Sequence, residues 1–403
     1  MVQTLAAGAL ALLVGFQLVD RLPFLRRYNI PAPVVGGLIV ALIVLALRQQ
    51  GVATISFDTT LQTPLMNAFF TAIGFSASMS LLRTGSAQAL VFLVLAAFLA
   101  IVQSLIGIFS AVLFDQSPLL GVLMGPAAMA GGPATALAFA PQFAAAGVPS
   151  AETVAIAAAM AGIVLGGLVG GPVATRLLEK HDLRAATDAK GSLPTDAVPQ
   201  TPLDDSAAAA VATAEEATGR RVIKALTVIL VAMGIGSWLS AEMKAAGLTL
   251  PGYVGAMIIG SMIRNFDDFT GLIKIPHEIT DRVGIVSLTL FLAVALMNVK
   301  LWELASVALP LIVNLALQVI VVAVFCWAVV FRVMGRDYDA AVMSGGFTGF
   351  MLGTTANAMA VMRTVVEKFG PAPRAFLVAP IVGAFFIDFA NAIVITTFLN
   401  LLG

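Results

Sequence analysis

The sequence predicts an all-α polytopic membrane protein: two inverted repeats of five transmembrane helices, each with a re-entrant helical hairpin before its fifth helix. Three observations predict it. Of the 403 residues, 60% are hydrophobic and 11% charged, with a mean hydropathy of +1.00, against about 25% charged in soluble domains. Apolar runs long enough to cross roughly 30 Å of hydrocarbon recur from end to end. The layout of the first half is then repeated in the second, beyond one polar stretch.

In chain order, apolar segments fall at 4–19, 32–47, 64–82 and 87–114. A Gly/Ala/Pro-rich stretch follows at about 118–146, and a fifth span at 153–177 completes an N-terminal repeat, 1–178. From 179 to 219 the composition turns to Pro, Ser, Asp and Ala. Such a segment buries no core and reads as a flexible linker; its Ala-rich piece 207–214 could form a short helix, though nothing requires it. The C-terminal repeat, 220–403, has spans at 223–239, 248–263, 283–299 and 305–331, a Gly/Thr-rich stretch at about 340–366, and a last span at 376–402.

Short echoes support the duplication. Val35-Gly36-Gly37-Leu38-Ile39 resembles Val254-Gly255-Ala256-Met257-Ile258, and Gly131-Gly132 and Gly345-Gly346 hold the same place in the two small-residue stretches. Gln103 and Gln318 both fall mid-span in fourth helices.

Charge sets the orientation. With the N-terminus outside and both small-residue stretches entering and leaving on one side, 19 lysines and arginines are cytoplasmic against Arg48, Lys244 and Lys300 outside. That bias obeys the positive-inside rule. Were the small-residue stretches single crossings, Arg176 and its neighbours would lie outside. Both termini are therefore expected on the periplasmic side and the 179–219 linker in the cytoplasm. Five spans per half make the halves inverted, and inverted repeats with Gly-rich interruptions at matching places mark a secondary transporter.

Other classes are disfavoured. Zero net charge suggests no nucleic-acid partner. The single Cys326 excludes an intrachain disulfide or a cysteine metal site, and His181 and His277 sit in polar connections away from other ligand types. No cofactor is expected. The first apolar run lacks a basic leader and reads as a retained helix. An intramembrane hydrolase would need a nucleophile with its base, paired acids or metal ligands, and the lone Asp388 supplies none of these.

Asp388 is the only charged residue of the last apolar run. A carboxylate at membrane depth costs about 2.5–3.5 kcal/mol by insertion scales unless it meets a partner or water. Asn391 shares its helix face. The pair is either a ligand set for cation or substrate, or a structural carboxylate bonded to neighbouring helices. The first small-residue stretch offers Gly131, Gly132, Pro133 and Thr135, a tip that exposes backbone polar groups. The second offers Gly345, Gly346, Thr348 and Gly349, then Thr354, Thr355 and Asn357. Half-helix N-termini hold anions, while unwound carbonyls and hydroxyls hold Na⁺; the alternative is a small-residue packing face. Ser76, Ser78 and Ser344 join Asp388 and Asn391 as candidate cation ligands, although membrane serines often bond their own backbone. Ser80 and Asn298 are weaker candidates, and Asn67, Gln103 and Gln318 read as interhelical hydrogen-bonding residues.

The residues at this point resemble the bacterial sodium/glutamate symporters across nearly the whole chain except the linker. The most specific pieces are Ile30-Pro31-Ala32-Pro33-Val34-Val35-Gly36-Gly37, Leu165-Gly166-Gly167-Leu168-Val169-Gly170-Gly171-Pro172, Ser287-Leu288-Thr289-Leu290-Phe291-Leu292-Ala293 and Val382-Gly383-Ala384-Phe385-Phe386-Ile387-Asp388. The resemblance implies Na⁺-coupled uptake of glutamate or a related small organic anion across the inner membrane. It also implies a homodimer surrounded by membrane lipid, and an elevator-like movement of one domain past another. Where the family's first hairpin tip resembles S-G-G-H-G-T-G, this chain reads Ala130-Gly131-Gly132-Pro133-Ala134-Thr135-Ala136, and Phe347 stands where the second hairpin typically has His. A proton-coupled carrier of another carboxylate, with Asp388 titrating, and a passive channel are the alternatives.

Overall fold

The structure is a computed structural model that describes residues 1–28, 30–51, 55–78, 87–183, 207–245 and 250–403. Ser80, Arg83 and the central part of the predicted linker lie outside these. Every regular element among the described residues is helical. We number them α1 (Val2–Arg21), α2 (Pro23–Arg27), α3 (Ala32–Gln49), α4 (Gln62–Ser76), α5 (Ala87–Val112), α6 (Pro118–Ala127), α7 (Gly132–Ala145) and α8 (Ala151–Lys180). Then come α9 (Ala207–Ala245), α10 (Gly252–Thr270), α11 (His277–Met297), α12 (Leu301–Val333), α13 (Tyr338–Met351), α14 (Thr355–Phe369) and α15 (373–402). Seven of them are long and apolar enough to cross a membrane: α1, α3, α5, α8, the Gly219–Ala245 part of α9, α11 and α12.

In the third span α4 ends at Ser76, and residues 79–82 of the predicted span lie outside the described residues. The stretch 207–219 is helical, as the first part of α9. Alanine is the strongest helix former, so an Ala-rich segment joined to an apolar helix continues it.

Helix starts and breaks follow local chemistry. Pro118 fits the first turn of α6, where no N–H is needed. At Gly125 (φ −92°, ψ −118°) α6 leaves helical geometry, and Pro126 removes the next donor. Asp337 caps α13 by accepting from Ala340 N (2.8 Å), and Thr354 caps α14 by accepting from Asn357 N (3.3 Å). Between α10 and α11, Asp267 accepts from the backbone N–H groups of Ile273, Lys274 and Ile275. Burial pushes the Asp267 carboxyl up, but the three donors outweigh it and hold it below the usual carboxylate range.

The helices pack as two bodies. The first is built from α1, α3 and α4 with α9, α10 and α11; the second from α5 to α8 with α12 to α15. Apart from the five-residue α2, each half of the chain gives its first three helices to one body and the rest to the other. The two bodies meet where α11 faces α7, where α4 faces the π turn Val382–Phe386 of α15, and where α3 faces the start of α12. An apolar cluster with Val34, Leu137, Ile156, Phe291 and Leu296 spans that boundary. Among the described residues, the side-chain hydrogen bonds between distant segments all lie within one body or the other, as in Ser78 Oγ to Asp268 Oδ2 (2.6 Å) and Gln318 Nε2 to Gln103 O (2.8 Å).

Close crossings are made by glycine. A Cβ built on Gly121 of α6 would sit 2.0 Å from Gly107 O of α5, and one on Gly107 would sit 2.0 Å from Gly121 O. No side chain fits there, and small-residue contacts of this kind drive helix association in lipid. Gly121→Val is expected to destabilise the fold by about 1–3 kcal/mol or more through overpacking, read as a lowered melting temperature of purified protein. A variant as stable as the parent would show that α5 and α6 are not in backbone contact.

Candidate functional site

The two helix breaks of the second body meet. In the first, Gly131 N bonds back to Pro126 O (3.0 Å), and α7 starts at Gly132 with φ +64°. In the second, α13 ends at Met351, Gly353 N bonds Phe350 O (3.2 Å), and α14 starts from the Thr354 cap. A Cβ on Gly132 would come 2.8 Å from Thr354 Cγ2 and 3.4 Å from Gly353 O. The N-termini of α7 and α14, with their unbonded N–H groups and positive dipole ends, thus converge on one place.

Breaking a helix frees carbonyls, and side-chain amides from neighbouring helices take them up. Asn391 Nδ2 of α15 donates to Pro126 O (2.9 Å), and Asn314 Nδ2 of α12 donates to Met124 O (3.0 Å). Gln103 Nε2 of α5 donates to Met351 O (2.9 Å), while Gln318 Nε2 of α12 donates to Gln103 O. Asn357 Nδ2 donates to Ile163 O (2.8 Å), and Thr355 Oγ1 to Gly383 O (3.2 Å). With the nitrogen of each amide turned to a carbonyl, its oxygen points elsewhere. The oxygens of Gln103, Gln318, Asn357 and Asn391 are buried without a donor among the described residues. Buried polar atoms are nearly always bonded, and acceptor oxygens in an apolar interior suit a cation.

Asp388 lies one turn before Asn391 on α15, partly exposed, and no donor among the described residues bonds its carboxylate. Tyr253 of α10 is close enough to feel its charge. The Tyr253 ring stacks on Phe70 (centroids 3.8 Å apart) and meets Phe139 of α7 edge-on (6.0 Å), and its buried hydroxyl has no partner among the described residues.

The structure brings together only part of the predicted set. Gly131, Gly132, Pro133 and Thr135 lie at the first break, with Thr135 buried against Gly131. Thr354, Thr355 and Asn357 lie at the second, and Asn391 reaches the first. Gly345, Gly346 and Gly349 do not form a tip: they lie inside α13, where the chain stays helical and the break comes later, at 352–354. Their missing side chains serve packing. A Cβ on Gly345 would strike Gly170 O and Ala174 of α8, and one on Gly346 would strike Met362 of α14. Phe347 points into apolar surroundings, edge-on to Phe92 (4.8 Å). Ser344 and Thr348 bond back to Ala340 O (2.7 Å) and Ser344 O (3.0 Å).

Ser76 and Ser78 belong to the other body. They donate to Asp281 (3.4 Å) and Asp268 (2.6 Å), and Asp268 also pairs with Arg264 (2.9 Å) beside His277. The five residues expected to hold a cation are therefore divided between the bodies. Tyr253 and Asn314 were not among the predicted residues. Asn314 had a signal: an amide four residues before Gln318 on the same face of an apolar helix.

Comparison with known proteins agrees with the architecture. Residues 1–371 match the family model described as sodium/glutamate symporter. The chain is 40% identical over 404 residues to the sodium/glutamate symporter of Escherichia coli (strain K12), covering 99% of this chain and 97% of that protein. It is 39% identical over 393 residues to the sodium/glutamate symporter of Haemophilus influenzae, covering 97% and 95%.

The meeting of the breaks is testable. In Gly132→Ala the left-handed backbone costs about 1–2 kcal/mol, and the new methyl meets Thr354 Cγ2. Thr354→Ser removes that methyl and keeps the capping oxygen. Uptake activity and melting temperature should fall in Gly132→Ala and recover in part in Gly132→Ala/Thr354→Ser; strictly additive effects would mean that the two positions are not in contact.

Proposed function

The chain belongs to the sodium/glutamate symporter family, and we propose that it carries Na⁺ with glutamate, or a closely related small organic anion, through the place where its two broken helices meet. It is a transporter and not an enzyme. The observation that carries the reading is the Asp388 carboxylate, one turn from the Asn391 amide oxygen, with neither bonded to a donor among the described residues. A bare carboxylate in hydrocarbon is costly, and a bound cation offsets that cost. The substrate's own carboxylates belong at the N-termini of α7 and α14, by Gly132 and Pro133 and by Thr354 and Thr355. Anion and cation then lie side by side, so binding of each lowers the cost of the other, as coupling requires. Each net charge carried inward adds about 2.3 kcal/mol per 100 mV of membrane potential.

Two further features support alternating access. We take the pairs α6/α7 and α13/α14 as re-entrant hairpins of two inverted repeats, oriented by charge with both termini periplasmic. Side-chain hydrogen bonds tie each body internally, while an apolar cluster lies at the boundary between them. Apolar surfaces exchange partners without leaving unpaired donors, so the second body can travel past the first as an elevator.

In proteoliposomes, radiolabelled glutamate should accumulate under an imposed Na⁺ gradient and not under a pH gradient alone, and Asp388→Asn should abolish that accumulation. Accumulation driven by pH alone would make the carrier proton-coupled, and full activity of Asp388→Asn would remove this carboxylate from the mechanism. For the movement, Val34→Cys/Leu137→Cys in a Cys326→Ser background should lose transport when bridged by a short bifunctional thiol reagent. Undiminished uptake by the cross-linked protein would rule out sliding at this boundary.

A further inference from the structure

Away from this site, a groove of about 830 Å³ runs along the second body between α8 and α12. Its walls are apolar: Leu168, Val169, Pro172 and Val173 on α8 face Ala323 and Val324 on α12. At one end the character changes. Arg176, Lys180 and Trp327 line the groove there, and a smaller hollow of about 180 Å³ extends it from Lys180 and Trp327 to Arg332 and Arg336.

Trp327 organises this end. It lies in the π turn Cys326–Val330 of α12, directly after the fully buried Cys326, and is itself 39% exposed. Lys180 Nζ stands 4.4 Å from its ring centroid and Arg332 Cζ 5.8 Å. Two cations thus lie close to one indole at the mouth of an apolar slot. None of Arg176, Lys180, Arg332 and Arg336 has a carboxylate partner among the described residues, and Glu179 is the one acid in the lining. From Leu168 to Lys180 the helix rises about 18 Å, a little more than the ~15 Å of hydrocarbon in one leaflet.

We propose that this groove binds an anionic diacyl phospholipid. Lys180 and Arg332, both beside Trp327, hold the phosphate, and an acyl chain lies along Leu168–Val173 against α12. The charge selects an anionic headgroup, since unpaired cations gathered at a membrane interface attract acidic lipid. The apolar slot below selects a lipid over a soluble anion. Tryptophan at the junction of the two fits its preference for the interface. The site does not depend on which solute is carried.

Trp327 is also the probe. The chain has three tryptophans, and Trp238→Phe/Trp302→Phe leaves Trp327 alone. In bilayers of mixed composition, brominated phosphatidylglycerol should quench Trp327 at lower mole fraction than brominated phosphatidylcholine. Lys180→Gln and Arg332→Gln should each reduce that preference about fivefold. Inorganic phosphate at millimolar concentration should leave it unchanged. Equal quenching by the two lipids overturns the proposal. Phosphate that abolishes the preference reassigns the site to a soluble anion, and quenching by neither lipid places protein, such as a second copy of the chain, over the groove. Native mass spectrometry of the unsubstituted protein gives an independent reading: retained phosphatidylglycerol in excess of phosphatidylcholine is expected, and equal retention overturns the proposal.

Discussion

A carbonyl oxygen released from a helix inside hydrocarbon has no water to turn to, and the rest of this structure is arranged around that fact. Where α6 and α13 break, Asn314 and Gln103 from other helices donate to the carbonyls of Met124 and Met351. Pro126 O accepts from Gly131 N and also from Asn391. Leaving even one such group unbonded costs several kcal/mol, so the amides are structural before they are anything else. Function grows from the other end of the same side chains. An amide that gives its nitrogen to the backbone has an oxygen left over, and that of Asn391 lies one turn along α15 from the Asp388 carboxylate, which has no donor among the described residues.

The division into two bodies follows from the same economy of polar contacts. Hydrogen bonds are kept where geometry must persist, within the body of α5 to α8 and α12 to α15 and within the body of α1, α3, α4 and α9 to α11. Between them lie Val34, Leu137, Ile156 and Phe291. An interface of that kind holds by contact area and imposes no single register.

Much of this was legible in the sequence because its causes are local. Gly131-Gly132-Pro133 breaks a helix whatever surrounds it, and Asp388 with Asn391 stands out against its apolar run. Gly345-Gly346 was misread because a glycine pair has two uses, breaking a helix or admitting a neighbour. Only the positions of α8 and α14 decide between them. The real break, at Leu352-Gly353-Thr354, carried a quieter sign: a threonine in capping position three residues before Asn357. Ser76 and Ser78 stand out in sequence only as hydroxyls in an apolar span, while the acids they bond, Asp281 and Asp268, lie about two hundred residues away. Pairings of that range leave no mark in a local pattern. Tyr253 was missed for the same reason: only the fold brings α10 beside the end of the chain.

The bond from Asn314 to Met124 spans 190 residues. A ribosome adding about 5–20 residues per second needs roughly 10–40 s to cover that distance. For that interval the first broken helix exists without the amide that completes it. It must wait at the translocon exit, shielded by water, lipid headgroups or the insertion machinery, until the second half of the chain arrives to close it.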